Sequence, residues 1–194
     1  MTRALLLILT VFLILVASAV ASSYWPTEGE ELVYTFIDDE GDELVITFYP
    51  GQGYYRIERG ICSAAWSYTL DEAMLGLTYS TSYCEGDWEI VMSSHSPPLP
   101  LLTYHLEVGN LWWIGNSFAV VEEETTVTVP LGTYDVMAVR YYNNPWGNIM
   151  NIGGLTYFHA ELGPVKIGGR NLVSIEATTP VRERSWSSVK SLFK

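Results

Sequence analysis

The stretch Thr126–Tyr142 constrains the fold of this chain more than any other. Val127 and Val129 alternate with Thr126 and Thr128, the period of two that belongs to a strand. Pro130-Leu131-Gly132 interrupts the run with turn residues. Tyr134–Tyr142, rich in β-branched and aromatic residues, is then long enough to cross a sheet. Strand, turn, strand within so short a span predicts an antiparallel hairpin. Tyr157–Ile167 predicts a second such unit, with a turn at Gly163-Pro164.

The same reading extends along the chain. Leu32–Ile37 and Leu44–Tyr49 are strands joined by the acidic tip Asp38–Glu43. Tyr54–Glu58 and Ser63–Leu70 follow as strands, and Asp71–Met74 as a turn. Gly76–Tyr83 and Trp88–Ser93 flank Glu85-Gly86-Asp87 as a further hairpin. Ser94–Pro100 carries three prolines, which lack three backbone donors, and is expected to be a crossing loop outside any sheet. Strands resume at Leu111, Phe118–Val129, Leu155–Ala160, Val165–Ile167 and Leu172–Ala177, with a long loop at Asn143–Gly154. Many short strands and no sustained helical period predict an all-β fold. Its sheet is antiparallel and curved, as a half-barrel or a sandwich. The one helical candidate is Ser185–Lys194, where Trp186, Val189 and Phe193 fall at i, i+3 and i+7.

The ends of the chain differ in kind from its body. Arg3, the apolar run Ala4–Val16 and the small-residue pattern Ala19-Val20-Ala21 read as a secretory signal peptide over residues 1–21. The apolar run is shorter than the roughly 20 residues of a membrane span. No cysteine follows the cleavage point, so a lipid anchor is not expected. The remainder divides into a β-domain, residues 22–179, and a basic amphipathic tail, residues 180–194. The expectation is export by the Sec route to the periplasm or the exterior, with no membrane span in the mature chain.

Export makes the cysteine arithmetic informative. The chain has two cysteines, Cys62 and Cys84, and an even pair in an oxidising compartment predicts one disulfide. A redox or metal pair needs CxxC spacing or a nearby histidine, and neither is present. Charge is also uneven. The net is −12, yet from Arg182 onward four basic residues face one acid. So acidic a body excludes nucleic acid as a partner, because phosphate binding requires clustered Lys and Arg.

Chemistry-bearing motifs are absent. His95, His105 and His159 are scattered, and His159-Ala160-Glu161-Leu162-Gly163 does not complete an HExxH zinc motif. There is no G-x-S-x-G elbow. The carboxylates of Asp38–Glu43 could attract Ca²⁺, but they lack the alternating EF-hand spacing, and a solvated hairpin tip is the simpler account. Glu122-Glu123-Glu124 reads as a charged sheet edge that discourages aggregation. No catalytic residue, metal or cofactor is predicted.

Aromatic content is the unusual property, with 7 Trp, 13 Tyr and 6 Phe. Trp112, Trp113, Tyr134, Tyr141, Tyr142, Trp146 and Tyr157 gather around the focal hairpin. Two readings stand open: an apolar pocket on a concave sheet, or an aromatic-rich core. Neighbours such as Trp112 and Trp113 must face opposite sides of a strand in either case. In the tail, Arg182, Arg184, Trp186, Val189, Lys190 and Phe193 form an amphipathic, basic candidate for partner or surface binding. A helix packed on its own acidic body, or a frayed end, accounts for them equally well.

A resemblance can now be stated. Val108-Gly109-Asn110-x-Trp112, then Val127-x-Val129-Pro130-x-Gly132-x-Tyr134, then Tyr157 through Gly163-Pro164-Val165-Lys166 occur in that order. This succession resembles the C-terminal half of a group of exported bacterial β-proteins. Several of these are related in fold to the LolA/LolB-like carriers, whose unclosed β-barrel holds lipid acyl chains. The likeness covers about residues 105–177 and implies an exported, LolA-like β-fold; it implies no catalytic residue. The expected function is a non-catalytic exported domain binding a lipid or other small apolar ligand in the cell envelope. The alternative is a structural or protein-interaction module that uses the tail.

Overall fold

In the computed structural model, residues 24–26, 30–70, 74–85, 91–103, 106–142 and 154–178 are described. The chain forms twelve strands: β1 (Glu31–Ile37), β2 (Glu43–Tyr49), β3 (Tyr54–Arg59), β4 (Cys62–Leu70), β5 (Met74–Cys84), β6 (Val91–Thr103), β7 (Leu111–Ile114), β8 (Ser117–Val129), β9 (Gly132–Tyr142), β10 (Gly154–His159), β11 (Gly163–Ile167) and β12 (Arg170–Thr178). All belong to one antiparallel sheet in the order β6-β5-β4-β3-β2-β1-β12-β11-β10-β9-β8-β7. Every consecutive pair is hydrogen-bonded except β6 and β7, which are the two edges. The predicted C-terminal helix, the signal segment and the loop 143–153 lie outside the described residues.

The ladders follow from residue type. On β2, Leu44, Ile46 and Phe48 are buried and alternate with Val45 and Tyr49, one apolar face being turned inward. The focal hairpin forms as expected, with Val129 opposite Gly132 and Val127 opposite Tyr134. Its turn is only Pro130-Leu131, since Gly132 already opens β9. Gly163 and Pro164 likewise lie within β11, and the turn before them is Ala160–Leu162. Gly163 has φ +78°, and a Cβ there would stand 3.2 Å from the Pro26 ring. Glycine thus lets the N-terminal segment Tyr24–Pro26 pass against β11.

The expectation that Ser94–Pro100 crosses outside the sheet is not met: this stretch is part of β6. Two features reconcile prolines with a strand. β6 is an edge, where a missing donor need not face a neighbour. Its register against β5 also slips twice. Leu77 faces Leu99 while Tyr79 faces Ser94, which leaves His95-Ser96-Pro97-Pro98 as a wide bulge. The second slip sets Leu75 opposite Leu102 and Gly76 opposite Pro100, and Leu101 is left without a partner on β5.

The sheet curls on itself. Side chains from β2 through β6 and from β9 through β11 line one common interior space, which a flat sheet of this order could not achieve. Aromatic rings fill much of it. Trp25 meets Phe48 and Tyr55 edge-on with ring centres 5.0 and 5.1 Å apart, and Tyr34 meets Phe48 at 4.9 Å. Tyr34 Oη donates to the Leu162 carbonyl at 2.7 Å, which fastens β1 to the β10–β11 turn. Burial raises this phenol's pKa to about 12.

A second fastening lies at the β1–β2 tip. Asp38 Oδ1 accepts from the backbone amides of Glu40 and Asp42 at 3.0 and 2.8 Å, and this shapes the turn. Asp42 Oδ2 accepts from Arg59 Nε at 2.9 Å and pairs with the Arg170 guanidinium. Arg170 is buried and also lies 3.4 Å from Asp38. The tip is therefore consumed by ion pairs that join β1, β2, β3 and β12. Hydrogen bonds from Arg170 first, then Arg59, hold the Asp42 carboxyl below its ordinary value. A depressed carboxylate stabilises the fold above the unfolded value and loses that contribution as pH falls through the folded one. Thermal melts should therefore decline as pH drops below about 4. Asp42→Asn should lower Tm at pH 7 and flatten that acid decline; an unchanged pH profile would refute the assignment.

Cys62 and Cys84 face each other directly across β4 and β5 and form the expected disulfide. They close a loop with a sequence separation of 22. In the chain-entropy model such a link stabilises by about 3 kcal/mol. Replacing both with serine should lower Tm by about 6–12 °C while far-ultraviolet dichroism keeps its β-sheet signature.

Candidate functional site

The interior space is an apolar cavity of about 50 Å³, counted as room for the centre of a water-sized sphere. Its wall comes from strands distant in sequence. Ile46, Tyr55, Ile57, Trp66 and Leu75 belong to the first half, and Tyr141, Thr156, Phe158 and Ile167 to the second. Leu101 and Leu102 contribute from edge strand β6, and Trp25 reaches in from the segment before β1. No lining residue carries a charge. Burial raises the pKa of the Tyr55 and Tyr141 phenols, so both stay protonated at neutral pH. Chemically, such a chamber suits an apolar guest in a dry, aromatic environment.

One wall of the cavity is also the seam of the sheet. Leu101, skipped by the register of β5, offers its carbonyl to the opposite edge. Trp112 Nε1 on β7 donates to it at 3.3 Å and Tyr141 Oη on β9 at 3.4 Å. Among the described residues no backbone ladder joins β6 to β7; the Trp112 bond links β6 to β7 and the Tyr141 bond links β6 to β9. The preceding turn is set by Gly109 at φ +92°, whose amide donates to the Val121 carbonyl, while Val121 in turn donates to Asn110. The Val108-Gly109-Asn110-x-Trp112 succession thus delivers Trp112 to the seam.

The aromatic residues singled out by sequence separate into groups. Trp112 and Tyr141 point inward, 7 and 8% exposed, and Tyr141 lines the cavity. Trp113 and Tyr142 point outward, 62 and 38% exposed. With Phe118 they form a row across β7, β8 and β9. Ring centres are 5.4 Å apart between Trp113 and Phe118, and 4.6 Å between Phe118 and Tyr142. Tyr134 and Tyr157 are partly buried against the core but do not line the cavity. Tyr134 packs edge-on against His159 at 5.4 Å and donates to the Leu131 carbonyl, while Lys166 sits over the Tyr157 ring. Trp146 and the tail residues Arg182, Arg184, Trp186, Val189, Lys190 and Phe193 lie outside the described residues.

Several lining residues went unremarked in the sequence: Tyr55, Trp66, Leu101, Leu102 and Phe158. Alternation along β3, β4 and β10 assigns Tyr55, Trp66 and Phe158 to an inward face, whereas the adjacent Leu101 and Leu102 on β6 break alternation at the register slip and carry no such signal. Trp25 offers no such periodicity, since it precedes the first strand.

Other candidate groups are engaged. His159 Nδ1 accepts from the amides of Glu161 and Leu162, both at 3.2 Å. Glu122 is paired with Arg140 at 2.5 Å, and the Arg140 hydrogen bond holds its pKa below the ordinary value. Because β7 stops short, Glu123 and Glu124 stand exposed where β8 has no strand on that side, the placement expected of a charged edge. Among the described residues, no group of three or more His, Cys, Asp or Glu is placed to hold a metal ion, and no helix is long and apolar enough to cross a membrane.

Comparison with known proteins adds no relative: no family model, curated protein or solved structure matches the chain.

The seam makes an asymmetric pair of substitutions informative. Trp112→Phe keeps an apolar ring but deprives the Leu101 carbonyl of its nitrogen donor. It should cost about 1–2 kcal/mol, a Tm fall of about 2–8 °C. Trp113→Phe, one residue away on the outer face, should shift stability by no more than about 0.5 kcal/mol. Equal effects in denaturant melts would refute the seam.

Proposed function

We propose that this chain is a non-catalytic, exported β-domain that binds a small apolar or lipid-like ligand inside its curled sheet. The observation that carries this reading is the cavity itself: lined mainly by aromatic and aliphatic side chains, free of charge, and bounded on one side by a seam where, among the described residues, no backbone ladder joins β6 to β7. A closed ladder there would bar passage, whereas two long hydrogen bonds can part and re-form. The unclosed sheet agrees with the half-barrel implied by the likeness to LolA/LolB-like carriers. The signal-peptide pattern and the cysteine pair support passage by the Sec route into an oxidising compartment, periplasmic or extracellular.

A structural or protein-interaction role in an envelope assembly is the second reading. What favours it is the outward row of Trp113, Phe118 and Tyr142, a large apolar feature at the sheet's edge. The basic tail from Arg182 would serve as a further contact.

Native mass spectrometry on the mature protein, purified gently from a lipid-rich host, tests the first reading. The expected result is a reproducible added mass that organic solvent removes. A bare protein mass, together with no displacement or uptake of a hydrophobic dye, would refute ligand binding and leave the interaction role.

A further inference from the structure

One polar group in the cavity wall has no use in the fold itself. Thr156 on β10 is 3% exposed and lines the cavity, and its Oγ1 has no hydrogen-bond partner. A buried hydroxyl left unpaired is destabilising, and valine would fill the same volume without that penalty. Tyr68 Oη and Arg170 Nε are also orphaned but belong to residues that do not line the cavity, whereas Trp25 lines it through its indole, which can only donate. The Arg170 guanidinium is in any case already held by Asp38 and Asp42. Among the described residues, Thr156 combines a buried hydroxyl that has no hydrogen-bond partner with a place on the cavity wall.

The remaining wall sets the rest of the ligand's character. No Lys, Arg, His, Asp or Glu lines the cavity. A charged headgroup inside would lose its hydration and meet no counter-charge. The volume, about 50 Å³, admits a chain end but not a ring, which takes roughly 150 Å³. A hydroxyl can both donate and accept, so the matching group on the guest is an alcohol, ether or carbonyl oxygen.

We propose that Thr156 is the polar anchor of the cavity, and that the ligand is an uncharged apolar molecule bearing one hydrogen-bonding oxygen, which pairs with Thr156 Oγ1. This rests on the reading that the cavity binds a ligand. It goes further by fixing the ligand's charge and the residue that selects it. The hydroxyl is then retained for recognition at the expense of stability, a common trade at binding sites.

Hexan-1-ol, n-hexane and hexanoate serve as probes of equal chain length, titrated at pH 7 into the full mature protein. Trp25 and Trp66 line the cavity, so intrinsic fluorescence reports occupancy. Hexan-1-ol should bind about tenfold more tightly than hexane, about 1.4 kcal/mol, and hexanoate more weakly than hexan-1-ol. Thr156→Val should bring hexan-1-ol to the hexane level or below it, leave hexane unchanged, and keep or raise Tm. Thr156→Ser, which retains the hydroxyl, should preserve the preference for the alcohol. If hexane and hexan-1-ol bind equally, or Thr156→Val leaves the alcohol's affinity intact, the anchor is overturned while the cavity reading survives. A Tm lowered by Thr156→Val also overturns it, because the hydroxyl would then be stabilising the fold, through an internal water. Failure of all three probes to bind a folded protein overturns both the anchor and the ligand reading.

Discussion

The carbonyl of Leu101 is the point on which this architecture turns. Twelve strands in one sheet produce two edges, and curling brings them together without pairing them. A bulge in β6 takes Leu101 out of register with β5, and its carbonyl is met by Trp112 from β7 and Tyr141 from β9. A buried carbonyl without a partner would be costly, so bulge and donors require each other. Around this contact the apolar faces of both halves of the sheet converge and the cavity acquires its last wall. Elsewhere the curl is held by ladders and by local fastenings such as Tyr34 to Leu162 and the Asp42–Arg170 pair.

The seam differs physically from every other junction in the sheet. Two side-chain bonds replace the run of backbone bonds that joins, for example, β8 to β9. The prolines of β6 sharpen that difference, since Pro97 and Pro98 have no amide hydrogen to offer a passing strand. They also keep the edge from templating addition of another chain. On the other edge, β7 is only four residues long, and the exposed Glu123 and Glu124 guard the stretch of β8 that it leaves uncovered. Edge protection and weak closure thus come from the same set of residues.

Much of this was legible in the sequence because the sheet is built from neighbours. Val127 and Val129, the turn at Pro130, and the aromatic arm to Tyr142 announce a hairpin locally, and an even cysteine pair behind an expected signal peptide announces a disulfide. What was not legible depends on tertiary context. Three prolines argue against a strand unless the strand is an edge and is bulged, and neither condition is written in Ser94–Pro100 itself. That Trp112 and Trp113, or Tyr141 and Tyr142, face opposite sides follows from the pleat, but which member of each pair turns inward did not. The residues that do share a wall, such as Tyr55 and Phe158, come from opposite halves of the chain. Nothing periodic indicates that Trp25, a residue before the first strand, will turn inward.

The strand order has a consequence for how the chain could be rearranged. Sequence order and spatial order agree all the way around, except that β1 and β12 are laddered while β6 and β7 are not. The fold is therefore cyclic in its connectivity, with its covalent break and its hydrogen-bonding break at opposite places. Joining the end of β12 to the segment before β1, and opening the chain within residues 104–110, would yield a circular permutant in which every sequential pair of strands is a hydrogen-bonded hairpin partner. In that permutant the longest-range pairing, Glu31 with Thr178, becomes local and the contact order falls. The Trp112 and Tyr141 contacts to Leu101 would then have to be found across the length of the chain.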